Sequence, residues 1–168
     1  MDIFISWSGP RSHVIAEGLR LFLPRVIQSL EPWLSSADIE RGARWRTEVS
    51  DRLERSRVGI FCLTPENLSS PWMQFEAGAI SKNLENTLVC TYLYDLDKSD
   101  VREPLAQFQA TLAEKEETRQ LLHSINGQLE PALDAGVLDD TFEVMWPNLE
   151  QAITGVPEPG EVSEPQRL

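Results

Sequence analysis

Short apolar segments separated by helical patterns are the feature that most limits the folds open to this chain. Val58–Leu63 is almost wholly apolar and Thr87–Leu93 mostly so, as expected of strands that are buried on both faces of a sheet. Asp2–Ser6 is a shorter candidate strand, and Pro32–Ser35 is a brief fourth one. Strands that alternate with helices favour a parallel sheet with right-handed crossovers. The pattern therefore predicts an α/β, doubly wound, three-layer domain.

Three helices are expected between these strands, the third of which carries Trp72 and Glu76. Apolar residues follow helical spacing from Ile15 onward, and Pro24 interrupts them, which predicts a helix over residues 12–23 and a turn beyond it. A second helix is expected over residues 46–56, immediately before the Val58 strand.

The second half of the chain is less regular. The sequence indicates one or two helices within residues 105–125 and another over residues 139–153, in which Pro147 marks a kink or a helix start. A fifth strand is not visible, so it is expected to be short or absent.

Length and composition indicate one domain followed by a tail. A chain of 168 residues with 41% hydrophobic residues can bury a full core. From Val156 onward the sequence is rich in Pro and Glu and lacks large apolar residues. We expect a folded domain over residues 1–154 and, over residues 155–168, a disordered tail or a linker to a sensor domain.

Charge and cysteine usage exclude several classes of protein. A formal net charge of −12 argues against a protein that binds nucleic acid or an anionic membrane. No segment approaches the roughly 18–20 apolar residues of a membrane span. Cys62 and Cys90 lie in apolar runs, and His13 and His123 have no metal-type spacing, so we predict a cytoplasmic protein without a disulfide framework or a metal site.

Three segments are predicted to meet at one edge of the sheet. They follow the first three strands and span Ser6–Gly9, Ser35–Trp45 and Thr64–Trp72. Ligands of open parallel sheets bind beyond the carboxyl ends of the strands, near the point where the strand order reverses. This edge is therefore the expected binding site.

The segment Ser70–Ala79 carries the clearest candidate chemistry. Pro71 suits the first turn of a helix, and Trp72 and Glu76 then share one face because they lie four residues apart. An aromatic ring beside a carboxylate suits a sugar or a nucleotide. The alternative is a surface tryptophan with a solvated glutamate one turn on.

Five pieces of the chain follow one another in a fixed order: Phe4–Ser8, Asp38–Trp45, Leu53–Ile60, Leu63–Leu68, and Ser70–Trp72 with Glu76. In this order they resemble the Toll/interleukin-1 receptor (TIR) domain in its bacterial form. The resemblance covers residues 1–94, with a looser fit to residue 153. A further likeness, in Pro104–Gln109 and the Trp146–Pro147 helix, is to a subgroup found in bacterial anti-phage systems.

The resemblance implies a flavodoxin-like sheet and an enzyme that cleaves NAD between nicotinamide and ribose. It assigns Glu76 as the catalytic carboxylate and Trp72 as the residue that stacks on the substrate. It makes the loop over residues 35–45 the segment that closes over the site and mediates self-association into an oligomer or filament. NAD is then a substrate and no cofactor is expected, in keeping with the absence of GxGxxG and GxxxxGK[ST] motifs.

Further candidate residues lie on the same edge. Any of Arg41, Arg44 and Arg46 can meet the diphosphate, and Asp38 either contacts ribose, orients its loop or serves as a turn residue. Substrate binding is assigned to Ser6, Trp7, Asp38, Arg46 and Trp72, and self-association to Ile39, Arg41, Arg44 and Trp45.

The sequence thus predicts an NAD glycohydrolase or cyclase, the effector of a bacterial immune system, activated by self-association. One alternative is a TIR scaffold that signals by assembly without catalysis. Another is a different N-glycosidic enzyme, such as a nucleoside deoxyribosyltransferase. Whether the product is linear or cyclic ADP-ribose does not follow from the residues.

Overall fold

A computed structural model describes residues 1–36, 51–52, 54–69 and 87–160. Within these ranges a five-stranded sheet has the order β2-β1-β3-β4-β5, and all neighbouring strands are parallel. This confirms the predicted α/β architecture with a parallel sheet. The strands are β1 (Asp2–Trp7), β2 (Glu31–Ser36), β3 (Val58–Leu63), β4 (Leu88–Leu93) and β5 (Gln109–Leu112).

Long helices cover one face of the sheet. They are α1 (Pro10–Val26), α2 (Lys115–Asn126) and α3 (Ala135–Thr154), and residues 51–52 and 54–55 are also helical. Ile3, Ile5 and Ile60 are fully buried in the core on this face, which also contains apolar residues of all three helices. None of the helices in the described ranges is long and apolar enough to cross a bilayer.

The packing of α1 on α3 depends on a glycine. A Cβ atom at Gly18 would lie 2.9 Å from the Cβ of Ala152 and 3.2 Å from Cδ1 of Leu149. The two helices therefore approach each other more closely than any other residue at position 18 would allow without a shift.

A second, smaller core lies on the other face of the sheet. Phe4, Phe61 and Leu63 point to this face and pack with apolar residues of the segment between β4 and β5. Phe61 stacks on Phe108 with ring centroids 6.0 Å apart. That segment includes two short 3₁₀ turns, Lys98–Asp100 and Leu105–Gln107.

The two interior prolines do not mark helix boundaries, so the predicted helix end at Pro24 is wrong, and of the two alternatives for Pro147 only a kink stays open. Pro24 does not end α1, which continues to Val26 and closes with a bond from the Ile27 N–H to the Leu23 carbonyl. Pro24 loses the bond to the carbonyl four residues earlier and crowds that carbonyl, but the buried residues around it, Phe22, Leu23 and Val26, hold the last turn in place. Pro147 likewise lies inside α3, whose start is instead capped by Asp134 through the N–H groups of Gly136 and Val137.

The region over residues 105–125 contains one long helix, α2, which confirms the expectation of one or two helices there. It also contains the fifth strand, which is short, one of the two outcomes expected for it. β5 has four residues, two of them polar, so it lacks the apolar run that identifies β3 and β4. The tail is expected to begin at residue 155, and Val156 is still buried. Residues 161–168 lie outside the described ranges, so this boundary stays a prediction.

Candidate functional site

The carboxyl ends of three strands and the start of one helix meet at one edge of the sheet. β1 ends at Trp7, β3 at Leu63 and β4 at Leu93, and α1 begins at Pro10. β1 and β3 are neighbours in space, although β2 comes between them in the chain. The strand order reverses between β1 and β3, which is where parallel sheets of this order bind their ligands.

Trp7 forms the end of β1 and packs on the first turns of α1. Its ring stacks on the ring of His13, with centroids 4.1 Å apart and planes 29° apart. The side chain is largely buried, with 8% of the residue exposed, and its indole N–H has no partner among the residues described. Ser6, one residue earlier, is fully buried.

A buried polar network connects the turn after β1 to the loop after β3. The Asn67 amide nitrogen donates to the carbonyls of Ser8, at 2.9 Å, and Cys62, at 3.1 Å. The Asn67 oxygen accepts the Thr64 N–H at 2.8 Å. The Ser12 hydroxyl donates to the same Cys62 carbonyl at 2.7 Å and accepts the Ser8 N–H at 3.2 Å.

A buried cation lies beside this network. Arg11 is 6% exposed; its guanidinium pairs with Glu66, lies 3.6 Å from Asp95 and stands 5.2 Å from the ring centre of Tyr94. Burial opposes ionisation of Glu66, but hydrogen bonds from Arg11, its own backbone and Thr64 hold the pKa of that carboxyl below its ordinary value. The pair therefore stays ionised at neutral pH and joins α1 to the loop after β3.

A cleft of about 420 Å³ opens farther along the edge, at the ends of β4 and β5. Four carboxylate residues line it: Asp95, Asp97, Asp100 and Glu114. Such a lining repels anions, so this cleft does not suit a diphosphate.

Comparison with known proteins identifies the family. The TIR domain family profile matches residues 3–123, well over half of the chain. The chain belongs to the TIR domain family. Among solved structures, the TIR domains of the activated Roq1 resistosome directly recognizing the pathogen effector XopQ are similar at 22% identity and a TM-score of 0.47, over 92% of this chain and 82% of that one. No protein of curated function matches the chain.

The described part of this TIR domain includes two of the predicted site residues, Ser6 and Trp7. They lie at the carboxyl end of β1, and both are largely enclosed by protein. The predicted catalytic and stacking residues, Glu76 and Trp72, lie outside the described residues. So do the predicted loop residues Asp38, Ile39, Arg41, Arg44, Trp45 and Arg46.

One histidine of this TIR domain contacts an aromatic ring and the other contacts a carboxylate. His13 stacks on Trp7, and His123 lies 2.6 Å from a carboxylate oxygen of Asp139. Hydrogen bonds from His123 and Arg119 hold the pKa of Asp139 below its ordinary value. Among the described residues no group of three or more acidic, histidine or cysteine side chains is arranged to hold a metal ion.

The sequence interpretation missed two residues of the edge, Arg11 and Asn67. Both are polar and nearly fully buried, and each contacts a segment more than 50 residues away in the chain. The only sequence signal was their position, since each follows closely on an apolar strand at the predicted binding edge.

Proposed function

We propose that this TIR domain cleaves NAD at the bond between nicotinamide and ribose, with Glu76 as the catalytic carboxylate. One observation carries the proposal. The loop over residues 64–69 lies at the carboxyl edge, bonded to the turn after β1, and runs directly in sequence into the segment with Trp72 and Glu76. Membership of the TIR family supports the same reading.

The reaction needs only one carboxylate. Nicotinamide in NAD is a pyridinium, so when the C–N bond to ribose breaks, the electron pair passes to the ring nitrogen and a neutral molecule leaves. No general acid is required, in contrast with most glycosidases, where a carboxylic acid protonates a poor oxygen leaving group. Water then bonds to the ribose carbon and loses a proton, giving ADP-ribose.

Glu76 would stabilise the positive charge that develops on the ribose. An ionised carboxylate can accept hydrogen bonds from the ribose hydroxyls and lower the energy of the oxocarbenium-like centre, most effectively where water is excluded. By analogy with a single oxyanion-hole donor, removing it should raise the barrier by about 3–4 kcal/mol.

The other predicted residues would hold the substrate. Trp72 offers a ring for stacking, worth roughly 1–3 kcal/mol by analogy with base-stacking platforms. Arg41, Arg44 and Arg46 are candidates for the diphosphate, and Asp38 for a ribose hydroxyl. Trp7 and Ser6 would form the floor of the site, since both are already packed at the end of β1.

Self-association through the segment that follows β2, which the sequence predicts to be a loop up to residue 45, would complete the site. Ile39 and Trp45 are apolar residues in this largely polar stretch of sequence, which is typical of a contact surface. We therefore propose a cytoplasmic effector of a bacterial immune system that becomes active when a sensor clusters its TIR domains.

Product analysis tests the proposed reaction. Concentrated protein is incubated with NAD and, in parallel, with purine and pyrimidine deoxynucleosides, and free nicotinamide and free bases are quantified. Nicotinamide release from NAD alone is expected. Release of free bases would favour the deoxyribosyltransferase alternative, and no release at any concentration would favour a non-catalytic scaffold.

A further inference from the structure

The two strands that frame the candidate site separate at its base. Pairing of β1 with β3 ends at Ser6 opposite Phe61, whereas pairing of β1 with β2 continues to Trp7 opposite Ser36. One residue beyond the last β1–β3 pair, the Cys62 carbonyl accepts hydrogen bonds from two side chains, those of Ser12 and Asn67. Side chains thus replace backbone pairing where the crevice opens.

Both backbone groups of Ser8 are held by these two side chains. Its N–H bonds to the Ser12 hydroxyl and its carbonyl accepts from the Asn67 amide. Since Ser8 directly follows Trp7, the turn that carries Trp7 is fixed relative to α1 on one side and to the loop after β3 on the other.

Asn67 is chemically suited to this position. Its oxygen accepts the Thr64 N–H while its nitrogen donates to two carbonyls, so one residue uses its acceptor and both donor hydrogens. At 4% exposure it is shielded from water, which strengthens these bonds and makes the geometry costly to change.

We propose that Asn67 is a positioning residue, which sets the distance between the Trp7–Ser8 turn and the chain that leads into Trp72 and Glu76. The proposal rests on the proposed function for the identity of the site. Asn67 itself contacts no substrate. Asn67 acts by holding in register the two loops that would contact the substrate.

The variant Asn67→Asp tests this role. It keeps the size of the side chain and the acceptor for Thr64 but replaces the donor group with an oxygen, which would face two carbonyl oxygens. Asn126→Asp is the matched control. Asn126 is 6% exposed and bonds both the N–H and the carbonyl of Leu133, each at 2.9 Å. It ends α2, roughly 17 Å of helix away from the carboxyl end of β5.

Nicotinamide release, hydrogen exchange and melting temperature are measured for the wild-type protein and for both variants. Steady-state nicotinamide release gives kcat and KM, and hydrogen exchange followed by mass spectrometry reports the protection of residues 6–12 and 64–69. We expect Asn67→Asp to lower kcat by about tenfold to a hundredfold, as small misplacements of reacting groups do, with a smaller change in KM. Exchange over residues 6–12 should rise in Asn67→Asp and stay at the wild-type level in Asn126→Asp.

The exchange measurement does not depend on NAD cleavage, so it separates the two proposals. Wild-type protein that releases no nicotinamide refutes the proposed function, and exchange alone then decides the role of Asn67. Equal exchange over residues 6–12 in the two variants overturns the positioning role, as does a loss of kcat that merely follows the loss of melting temperature in both. If Asn67→Asp does not fold, Asn67→Ala replaces it, because it removes the bonds to the Ser8 and Cys62 carbonyls without placing an oxygen against them; the same readouts apply.

Discussion

The guanidinium of Arg11 pairs with the carboxylate of Glu66 and so joins the first turn of α1 to the loop that follows β3. The two ends of the pair differ in environment, because the Arg11 side chain is 7% exposed and the Glu66 side chain 42% exposed. If the pair is broken, water can hydrate the exposed carboxylate of Glu66 but not the buried guanidinium of Arg11. Arg11 would then have Asp95, 3.6 Å away, as its acidic neighbour. The cation is thus the group that depends on the pair.

A double-mutant cycle measures this pair. We expect Arg11→Met and Glu66→Gln each to lower the free energy of unfolding by about 1–3 kcal/mol, since the ion pair is lost in both. The double variant should lose less than the sum by about 1 kcal/mol or more, because the pair is broken only once. Urea unfolding gives the four free energies, and strict additivity would show that the two side chains do not interact in solution.

Glu117 provides a test of acid stability. Its carboxylate accepts the Leu112 N–H at 2.9 Å and pairs with Lys98 at 3.0 Å, so it ties α2 to β5. The Leu112 N–H, and then Lys98, outweigh partial burial and hold the pKa of Glu117 below its ordinary value of 4.5. A carboxyl whose pKa is lowered by folding stabilises the protein above its unfolded pKa, and this contribution is lost as pH falls through the folded pKa.

The variant Glu117→Gln should therefore differ from wild type in a pH-dependent manner. At neutral pH the wild-type protein should melt at the higher temperature. As pH falls below the ordinary carboxyl range and through the lowered pKa of Glu117, the difference should shrink because the carboxylate becomes protonated. Melting curves over this range check the expectation, and a difference that is constant with pH would mean that the carboxylate charge does not contribute.

The strands with long apolar runs could be predicted because such runs indicate a strand that is buried on both faces of a sheet. β3 lies at the predicted residues, and β4 begins one residue after its predicted start. β5 could not be identified this way, since it has only four residues, two of them polar, and is recognised as a strand by its pairing with β4. The predicted helix end at Pro24 was wrong because tertiary packing of α1 against α3 outweighs the local cost of proline.

Part of the candidate site could also be predicted from the sequence. The edge of the sheet follows from the order of strands and helices, and the described loops after β1 and β3 do lie together there. The contacts of Arg11 and Asn67 could not be read from the chain, because each bridges more than 50 residues and depends on where two loops meet. Local patterns carry no information on such pairs.

The segment after β2, predicted to be a loop up to residue 45, leads to a prediction about how specific activity depends on protein concentration. If it completes a neighbour's site, specific activity should rise with protein concentration, since head-to-tail contacts build open assemblies. Ile39→Asp should abolish this rise without lowering the melting temperature, and Ile39→Val should retain it because it remains apolar. Sedimentation velocity alongside the assay checks both variants, and specific activity that stays flat from dilute to concentrated wild-type protein would show that each chain holds a complete site.

The central claim is tested most directly by nicotinamide release from purified Glu76→Gln beside wild type, at matched high concentration. Gln has nearly the shape of Glu but no charge, so the variant tests the charge, and Glu85→Gln in the same stretch of sequence is the matched control. We predict that Glu76→Gln lowers release by about a hundredfold to a thousandfold, with its melting temperature preserved, and that Glu85→Gln behaves as wild type. A folded Glu76→Gln that keeps more than about a tenth of the wild-type rate would contradict a single-carboxylate mechanism.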